Sequence, residues 1–578
     1  MCRRPRNGAA SWRERCSTSH SHHRRLCGTF GAKLSQLLCD DERFCLLIGG
    51  RSLAKAVAFA SSLGGKAGKE PVVFDRNGDV YKQLSAVAPA VTVDASGPFQ
   101  TMGGDTYRVP RACISLGIDY ADLADSREFV RQIAELDAEA RTAGVFVLSG
   151  LSSFPALSFA ALDRLAQDFS RIDHVSSGIA PSPHADIGPN VIRAITSYAG
   201  KPVPILRNGI SATGLGLIEW HRVTVAPPGC IPLKSGRFRL VDAPDLDLLP
   251  QRFEGLSSMF TGAATKPQSL QRLLAATAQL VRLKLLPSLM PFAPLMHRAS
   301  KPLASGEHRG GMFVRASGSD RAGQPLEASW HLVAEGDDGP FVPVTGLEAL
   351  IRKLANGNRP ADGARSAAGE FPLEAFERCF ERFAIHSGTR HVRPGEVDLP
   401  LYRRLPGSAW EQLPRAIAAT HDTPEGGNRL SGRARVERGT GFVASIIAAV
   451  VGFPKAQDDV AVRVCFTTKG RIEFWTRDFG GAEFCSVQLK GHGRDAHLLA
   501  EDFGPFRILM AVVPDGAKLR FVVRGWRLFG IPLPLVLAPG GDIYEEERES
   551  RFHFHVEVGG PLIGLIVRYA GWLEEEGG

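Results

Sequence analysis

The sequence predicts an α/β protein: a doubly wound parallel sheet, then a mixed α+β region, then a β-rich antiparallel module. Three observations carry that expectation. Short apolar runs alternate with helical patterns between residues 44 and 169, as strands joined by crossover helices do. Just before them, Leu26-Cys27-Gly28-Thr29-Phe30-Gly31 holds the second and third glycines of a G-x-G-x-x-G loop, with leucine in the place of the first. Beyond residue 400 apolar residues recur at every second position, the period of a sheet with one wet face.

What precedes the loop does not suit a sheet. The place of a buried first strand is occupied by Ser19-His20-Ser21-His22-His23-Arg24-Arg25, and burying an unpaired polar group costs ~2–7 kcal/mol. The first strand is therefore expected to be missing or corrupted. Residues 1–25 are expected to be a disordered tail or a non-native head, read from a wrong start or a shifted frame. Seven arginines (Arg3, Arg4, Arg6, Arg13, Arg15, Arg24 and Arg25) and one acid, Glu14, give this head six of the eight net positive charges of the 578-residue chain. The remainder is close to neutral, so the basic balance is no nucleic-acid footprint of the folded body. No apolar stretch follows the arginines, which excludes a secretory signal. An organelle presequence fits the composition but lacks the amphipathic stripe. Cys2, Cys16, His20, His22, His23 and Cys27 contain no CxxC pair, so no metal site is expected. Ten cysteines, mostly single and within apolar segments, read as reduced thiols and imply a cytoplasmic protein. With 44% apolar residues the chain has core for several domains, and no apolar run approaches the ~20 residues of a membrane span.

The elements follow in order. Apolar spacing predicts a helix over 30–40, a strand at Phe44-Cys45-Leu46-Leu47-Ile48 turning at Gly49-Gly50-Arg51-Ser52, a helix over 54–63 and a strand over 72–75. A helix over 80–87 and a strand over 91–94 come next. A strand at 118–120, a charged helix over 126–143 capped by Asp125 with Glu128, a strand at 145–148 and a helix over 155–169 complete a first domain, 26–170. Longer strands at 172–180, 311–316 and 328–334 belong to an α+β substrate or dimerisation domain, 171–390. Within it, 270–295 carries an apolar face with Arg282 and Lys284. Its prolines, Pro287, Pro291 and Pro294, end the helix near Leu286, and a buried or interface helix is preferred to a membrane-surface one. Residues 356–369 read as a linker, 372–383 as a helix and 390–400 as a boundary. The β-rich module, 400–574, has strands at 460–467, 471–477, 506–513, 518–526 and 551–558, with a three-turn helix over 442–451 to cover or plug one face.

Chemistry is expected at the carboxyl edge of the parallel strands. In a loop of this kind the second glycine lets the backbone approach a pyrophosphate and the third lets helix pack on sheet, which makes Gly28, Thr29, Phe30 and Gly31 the expected cradle. Arg51 lies twenty positions beyond Gly31, where a site for NAD carries an acid and a site for NADP an arginine. A guanidinium gives bidentate contact to a 2′-phosphate and Ser52 adds a donor, so NADP is expected before NAD; the alternative is a plain helix start capped by Ser52. Val93-Asp94-Ala95-Ser96-Gly97-Pro98-Phe99 runs from a strand into a Gly-Pro turn that either lies along the cofactor or is a turn alone. In Tyr120-Ala121-Asp122-Leu123-Ala124-Asp125, Asp122 is the candidate catalytic residue, suited to orienting a substrate or relaying a proton if burial shifts its pKa. Ser149-Gly150-Leu151-Ser152-Ser153 departs from a G-x-S-x-G nucleophile elbow at its last position, so hydrolysis is not expected.

Taken as a set, the glycine loop, Gly50-Arg51-Ser52, Asp94-Ala95-Ser96-Gly97-Pro98-Phe99, Tyr120-Ala121-Asp122-Leu123 and Ser149-Gly150-Leu151-Ser152-Ser153-Phe154-Pro155-Ala156-Leu157 resemble the saccharopine dehydrogenase-like oxidoreductases over residues 26–385. Residues 401–573 resemble a bacterial family of unknown function (domain of unknown function 4166) often fused to such enzymes. That resemblance rests on Leu401-Tyr402-Arg403-Arg404-Leu405, Trp475-Thr476-Arg477, Glu501-Asp502-Phe503-Gly504-Pro505 and Gly530-Ile531-Pro532-Leu533-Pro534. The first resemblance implies a Rossmann-type domain and hydride transfer with NAD(P). It does not imply saccharopine as substrate, since no set of arginine clamps for a dicarboxylic amino acid is visible. The expected activity is oxidation or reduction of a small or lipid-like carbonyl, imine or enoyl compound. Gly28 and Gly31 would lie at the pyrophosphate, Arg51 and Ser52 at the 2′-phosphate, Asp75 on the adenine side, and Ser96, Gly97, Pro98 and Phe99 at the nicotinamide half. The alternative is a cofactor-deficient binding protein whose β-rich module holds a hydrophobic or acidic ligand, which Leu26 and the missing strand favour. No nucleic-acid partner is expected, peripheral membrane contact is not favoured, and a homo-oligomer is left open.

Overall fold

Short apolar runs followed by amphipathic segments fold here as strands covered by the helices that succeed them. The computed structural model describes residues 29–576 apart from 103–104, 186–187, 301–304, 395–398, 423–426 and 561–562. The expectations for residues 1–25 and for Leu26, Cys27 and Gly28 lie outside the described residues. The chain divides into two compact units. One is formed by Met1–His221, Arg237–Ala322 and Val333–Ile385, the other by Arg222–Gly236, Gly323–Leu332 and His386–Gly578.

The first unit is of Rossmann type. Helix α1 (Thr29–Leu38) buries Ala32, Leu34, Leu37 and Leu38. Strand β1 (Cys45–Gly50), helix α2 (Leu53–Ser62) and strand β2 (Gly68–Val73) follow. Helix α3 (Val80–Val87) is capped by Asp79, whose carboxylate accepts the Lys82 N–H at 3.0 Å. Strand β3 (Val91–Asp94), helix α4 (Arg108–Ser115) and strand β4 (Asp119–Asp122) come next. Helices α5 (Arg127–Gln132) and α6 (Asp137–Thr142), strand β5 (Phe146–Ser149) and helix α7 (Ser158–Ala166) complete the alternation. Every residue of β4 and β5 is buried, as expected of parallel strands covered on both faces.

β1 and β2 pair in parallel, and so do β3, β4, β5 and Gly363–Ser366 in the order Gly363–Ser366, β5, β4, β3. In a doubly wound sheet of order 3-2-1-4-5-6 the first strand lies between the second and the fourth. β1 and β2 take the second and third places and β3 the fourth, and among the described residues no pairing joins β1 to β3. Leu46 and Leu47 of β1 and Val91 and Val93 of β3 line a common cavity of about 40 Å³.

Three expectations are corrected. The 126–143 helix is not continuous, because a 3₁₀ turn, Ile133–Leu136, separates α5 from α6. Its cap is Ser126, whose hydroxyl accepts the Phe129 N–H, and not Asp125, whose carboxylate is drawn to Gln100 Nε2 at 3.0 Å. The polar stretch 356–369 is not a linker. It contains Gly363–Ser366, which extends the sheet, and its charged residues are tied down: Arg359 donates to Asp119 at 3.0 Å and Arg365 to Glu370 at 2.9 Å.

Elsewhere in this unit, Phe169–Ala180 pairs antiparallel with Arg309–Asp320 and parallel with Ser258–Ala263. The 270–295 segment forms a helix, Gln268–Arg282, that stops at Leu283, before the prolines. It buries Gln271, Ala278 and Val281 on one face, while Leu273 and Leu280 on the helix and Leu283, Leu285 and Leu295 beyond it are exposed. No helix among the described residues is long and apolar enough to cross a membrane.

The second unit is an antiparallel β-barrel. Of the eleven strands described in its sheet, ten run in the order Phe506–Asp515, Leu499–Phe503, Ala482–Lys490, Ile472–Phe479, Gln457–Lys469, Asn428–Arg438, Gly564–Glu575, Arg551–Gly560, Ile543–Arg548 and Lys518–Leu528, and the short Ile531–Leu533 pairs with the end of the last. Phe506–Asp515 also pairs with Lys518–Leu528, which closes the circle and removes the free edges. Alternate residues Val460, Val462, Val464 and Phe466 face the core, as the period of two requires. The helix Phe442–Val451 lays Ala444 and Ala448 against Ile566.

Candidate functional site

Three of the parallel strands of the first unit deliver polar residues at their carboxyl ends: Asp94 from β3, Asp122 from β4 and Ser149 from β5. These residues organise the loops that follow. Asp94 Oδ1 accepts the Ser96 N–H at 2.9 Å and the Ser96 hydroxyl at 2.5 Å, while Arg76 donates to Ser96 Oγ at 3.2 Å and pairs with Asp94 at 3.5 Å. Asp122, 0% exposed, accepts three bonds on Oδ1: from Ala124 N–H at 2.9 Å, Gly150 N–H at 2.8 Å and Ser149 Oγ at 3.0 Å. Its other oxygen is buried without a hydrogen-bond partner among the described residues, and desolvation lifts its pKa to about 7. Gly150, at φ +84° and with Pro155 Cδ only 2.6 Å from where a Cβ would stand, admits no side chain at this crossing.

A cavity of about 670 Å³ opens at that edge. Its wall joins the first turn of α1 (Thr29, Phe30, Ala32, Lys33), the turn Gly97-Pro98-Phe99, Leu123 and Asp125 after β4, Ser152 and Ser153 after β5, Gly188 to Val191, and His297. The Gly97-Pro98 peptide is cis, and Asn190 Nδ2 donates to the Gly97 carbonyl. Asp125 opens into the cavity. The surrounding protein raises its carboxyl pKa by desolvation, an effect that solvent in the opening moderates.

Of the residues singled out from sequence, Thr29, Phe30, Gly97, Pro98 and Phe99 line this cavity together. Gly31 stands behind the wall, and a Cβ there would meet Ala95 Cβ at 3.7 Å, an ordinary contact. Ser96 is turned to Asp94 and Arg76. Arg51 is exposed beyond β1, and Ser52 occupies the cap position of α2 without a side-chain cap bond. Asp75 holds its own turn, accepting the Asn77 N–H at 3.0 Å. Arg51, Ser52, Asp75 and Asp122 are not among the residues of the cavity wall. Sequence reasoning missed Lys33, Asn190 and His297, which no local motif marks. It passed over Asp125 as a cap.

Residues 413–573 match the family model described as Domain of unknown function (DUF4166). No curated protein matches the sequence. Similar solved structures include an apo saccharopine dehydrogenase (L-Glu forming) from Saccharomyces cerevisiae, at 13% identity over 63% of this chain and 98% of that one, with a TM-score of 0.44. GenD2 from gentamicin A biosynthesis, in complex with NAD, is 13% identical over 53% of this chain and 73% of that one, with a TM-score of 0.26. A probable dehydrogenase from Thermotoga maritima is 9% identical over 64% of this chain and 96% of that one, with a TM-score of 0.29.

Proposed function

We propose that the Rossmann-type unit binds a nicotinamide dinucleotide and uses it to oxidise or reduce a small or lipid-like carbonyl, imine or enoyl compound. One observation carries this reading: the cavity of about 670 Å³ that joins the first turn of α1 to the Gly97-Pro98-Phe99 turn at the carboxyl edge of the parallel strands. Ligands of open α/β sheets bind at that edge, and the first N–H groups of a helix, unsatisfied within it, attract phosphate. The residues present fit such a cofactor: backbone N–H groups of Thr29 and Phe30 for the pyrophosphate, Gly97 to Phe99 for the nicotinamide half. On the adenine side the reading assigns Arg51 and Ser52 to a 2′-phosphate, making NADP the preferred form, and Asp75 to the neighbouring edge. When bound, the nicotinamide supplies or accepts the hydride. Asp125 and His297 stand at the same cavity, where they give or take the proton at the substrate heteroatom. Asp122 acts beneath them by holding the loops after β4 and β5 in place.

Titration of the full-length protein with NADPH, followed by nicotinamide fluorescence, is expected to saturate; a linear response overturns the reading. Arg51→Ala is expected to weaken NADPH at least ~tenfold more than NADH. Equal effects on the two would remove the preference for NADP. A second reading, a cofactor-deficient binding unit, is favoured by the missing pairing between β1 and β3 among the described residues. The same titration separates the two.

A further inference from the structure

The barrel of the second unit encloses a cavity of about 370 Å³, within the range of small-molecule sites. Most of its wall is apolar, with Ile508, Met510, Phe521, Val523 and Val556 among the lining residues. The polar groups gather in one connected network. Arg477 donates to Ser486 Oγ at 2.9 Å and to Glu501 Oε1 at 3.1 Å, and Ser486 and Gln488 donate to that same oxygen at 2.7 and 2.9 Å. The Tyr402 hydroxyl donates to Gln488 Oε1 at 2.8 Å. Glu545 bonds His421 Nε2 at 2.5 Å, and the His421 ring stacks on Tyr402 with centroids 3.8 Å apart. Apolar side chains would stabilise a barrel core at least as well, so a buried ionic network bordering a cavity needs a reason beyond stability.

The charges select the ligand. The acidic and basic residues of the lining are Arg477, Glu501 and Glu545; Arg477 is already bound to Glu501, and Glu545 to His421. An anionic head would add a third negative charge beside two carboxylates in a space of low dielectric. A neutral hydroxyl would find carboxylate and amide acceptors there. Part of the wall continues into exposed apolar surface, which suits an apolar body: Ile447, Val451 and Leu537 line the cavity, and Phe442, Ile446 and Val536 on the same segments are 81%, 48% and 73% exposed.

We propose that the barrel binds an amphiphile with an uncharged hydrogen-bonding head, of the class of long-chain alcohols. Its chain lies along Met510, Phe521 and Val523, and its hydroxyl lies at the wall formed by Tyr402, Gln488, Glu501 and Glu545. This site is independent of the dinucleotide reading. The test uses the full-length protein with Nile red as reporter, displaced by dodecanol or by laurate above neutral pH. Dodecanol is expected to displace the dye at a concentration at least ~tenfold lower than laurate. Laurate as effective as dodecanol, or no displacement by either, overturns the proposal. Glu501→Gln removes a negative charge and releases Arg477 from its ion pair, so the preference is expected to narrow or reverse toward laurate; an unchanged preference overturns the assignment of the head to this wall. Val523→Trp, which places an indole where the chain is assigned, is expected to weaken dye binding, and unchanged binding in the folded variant overturns the location. The ranking on the unaltered protein decides the ligand class even if that variant does not fold.

Discussion

Asp122 is a carboxylate whose three hydrogen bonds do not offset the loss of water around it. Its pKa in the folded protein, about 7, exceeds the ordinary value of 3.8, so between those values the folded state holds more proton than the unfolded state. Stability then falls as pH rises through that window, by up to about 1.4 kcal/mol per pH unit for one such group. Asp122→Asn keeps an oxygen acceptor for Ala124, Ser149 and Gly150, and is expected to flatten this fall; urea unfolding at several pH values measures it, and an unaltered slope would contradict the assignment. Asp245, buried beside Ser158 with a pKa also near 7, supplies a similar slope that persists in the variant. Gly31 makes a second case. Among the described residues its added Cβ meets only Ala95, at 3.7 Å, and it lies inside α1, so Gly31→Ala is expected to stabilise the fold by about 0.5–1 kcal/mol, read from the same unfolding curves. At this scale the sequence marked the turn Gly97-Pro98-Phe99 and the start of α1, because each is a short motif with its own backbone demand. Asn190 and His297 reach the cavity from distant parts of the chain, and no spacing encodes that. Asp125 and Ser126 are adjacent cap formers, and only the observed bond to Phe129 distinguishes them.

Among the elements, β1 and β5 were the most legible of the parallel strands, since each carries a short apolar run, Cys45-Leu46-Leu47-Ile48 and Phe146-Val147-Leu148. In the barrel the alternating strands from 457 to 479 were visible, but Asn428–Arg438 and Gly564–Glu575 were not. These two pair with each other through glycines that interrupt the pattern: a Cβ on Gly571 would stand 2.1 Å from the Arg433 carbonyl oxygen, and one on Gly432 would stand 1.9 Å from that of Trp572. A glycine in a strand signals a close approach, yet not to which strand. Gly571→Ala is expected to cost about 2 kcal/mol or more, because two paired backbones must part, and thermal unfolding followed by tryptophan fluorescence reads the loss. Gly363–Ser366 escaped notice for a different reason. It is only four residues long, and Arg359 just before it serves a carboxylate, Asp119, brought from elsewhere in the chain.

At the scale of the whole molecule, sequence order and spatial order part company. The unit that contains the barrel also takes in Arg222–Gly236 and Gly323–Leu332, so no single cut releases it intact. Arg390 shows how the first of these stretches is held: its guanidinium donates to the Ala226 carbonyl at 2.6 Å and to the Leu405 carbonyl at 3.0 Å, and desolvation lowers its pKa to about 10. A fragment of residues 400–578 is therefore expected to unfold at lower urea concentration than the barrel within the full chain, with Trp475 and Trp526 as reporters. Equal midpoints would show that the earlier stretches add nothing. The same interleaving bears on how the protein is made. Synthesis delivers Arg222–Gly236 more than a hundred residues ahead of Arg390 and Leu405, and at ~5–20 residues per second the interval is roughly 8–30 seconds. Through that interval the early stretch waits on the ribosome-bound chain without its final neighbours, a period in which a chaperone has something to hold.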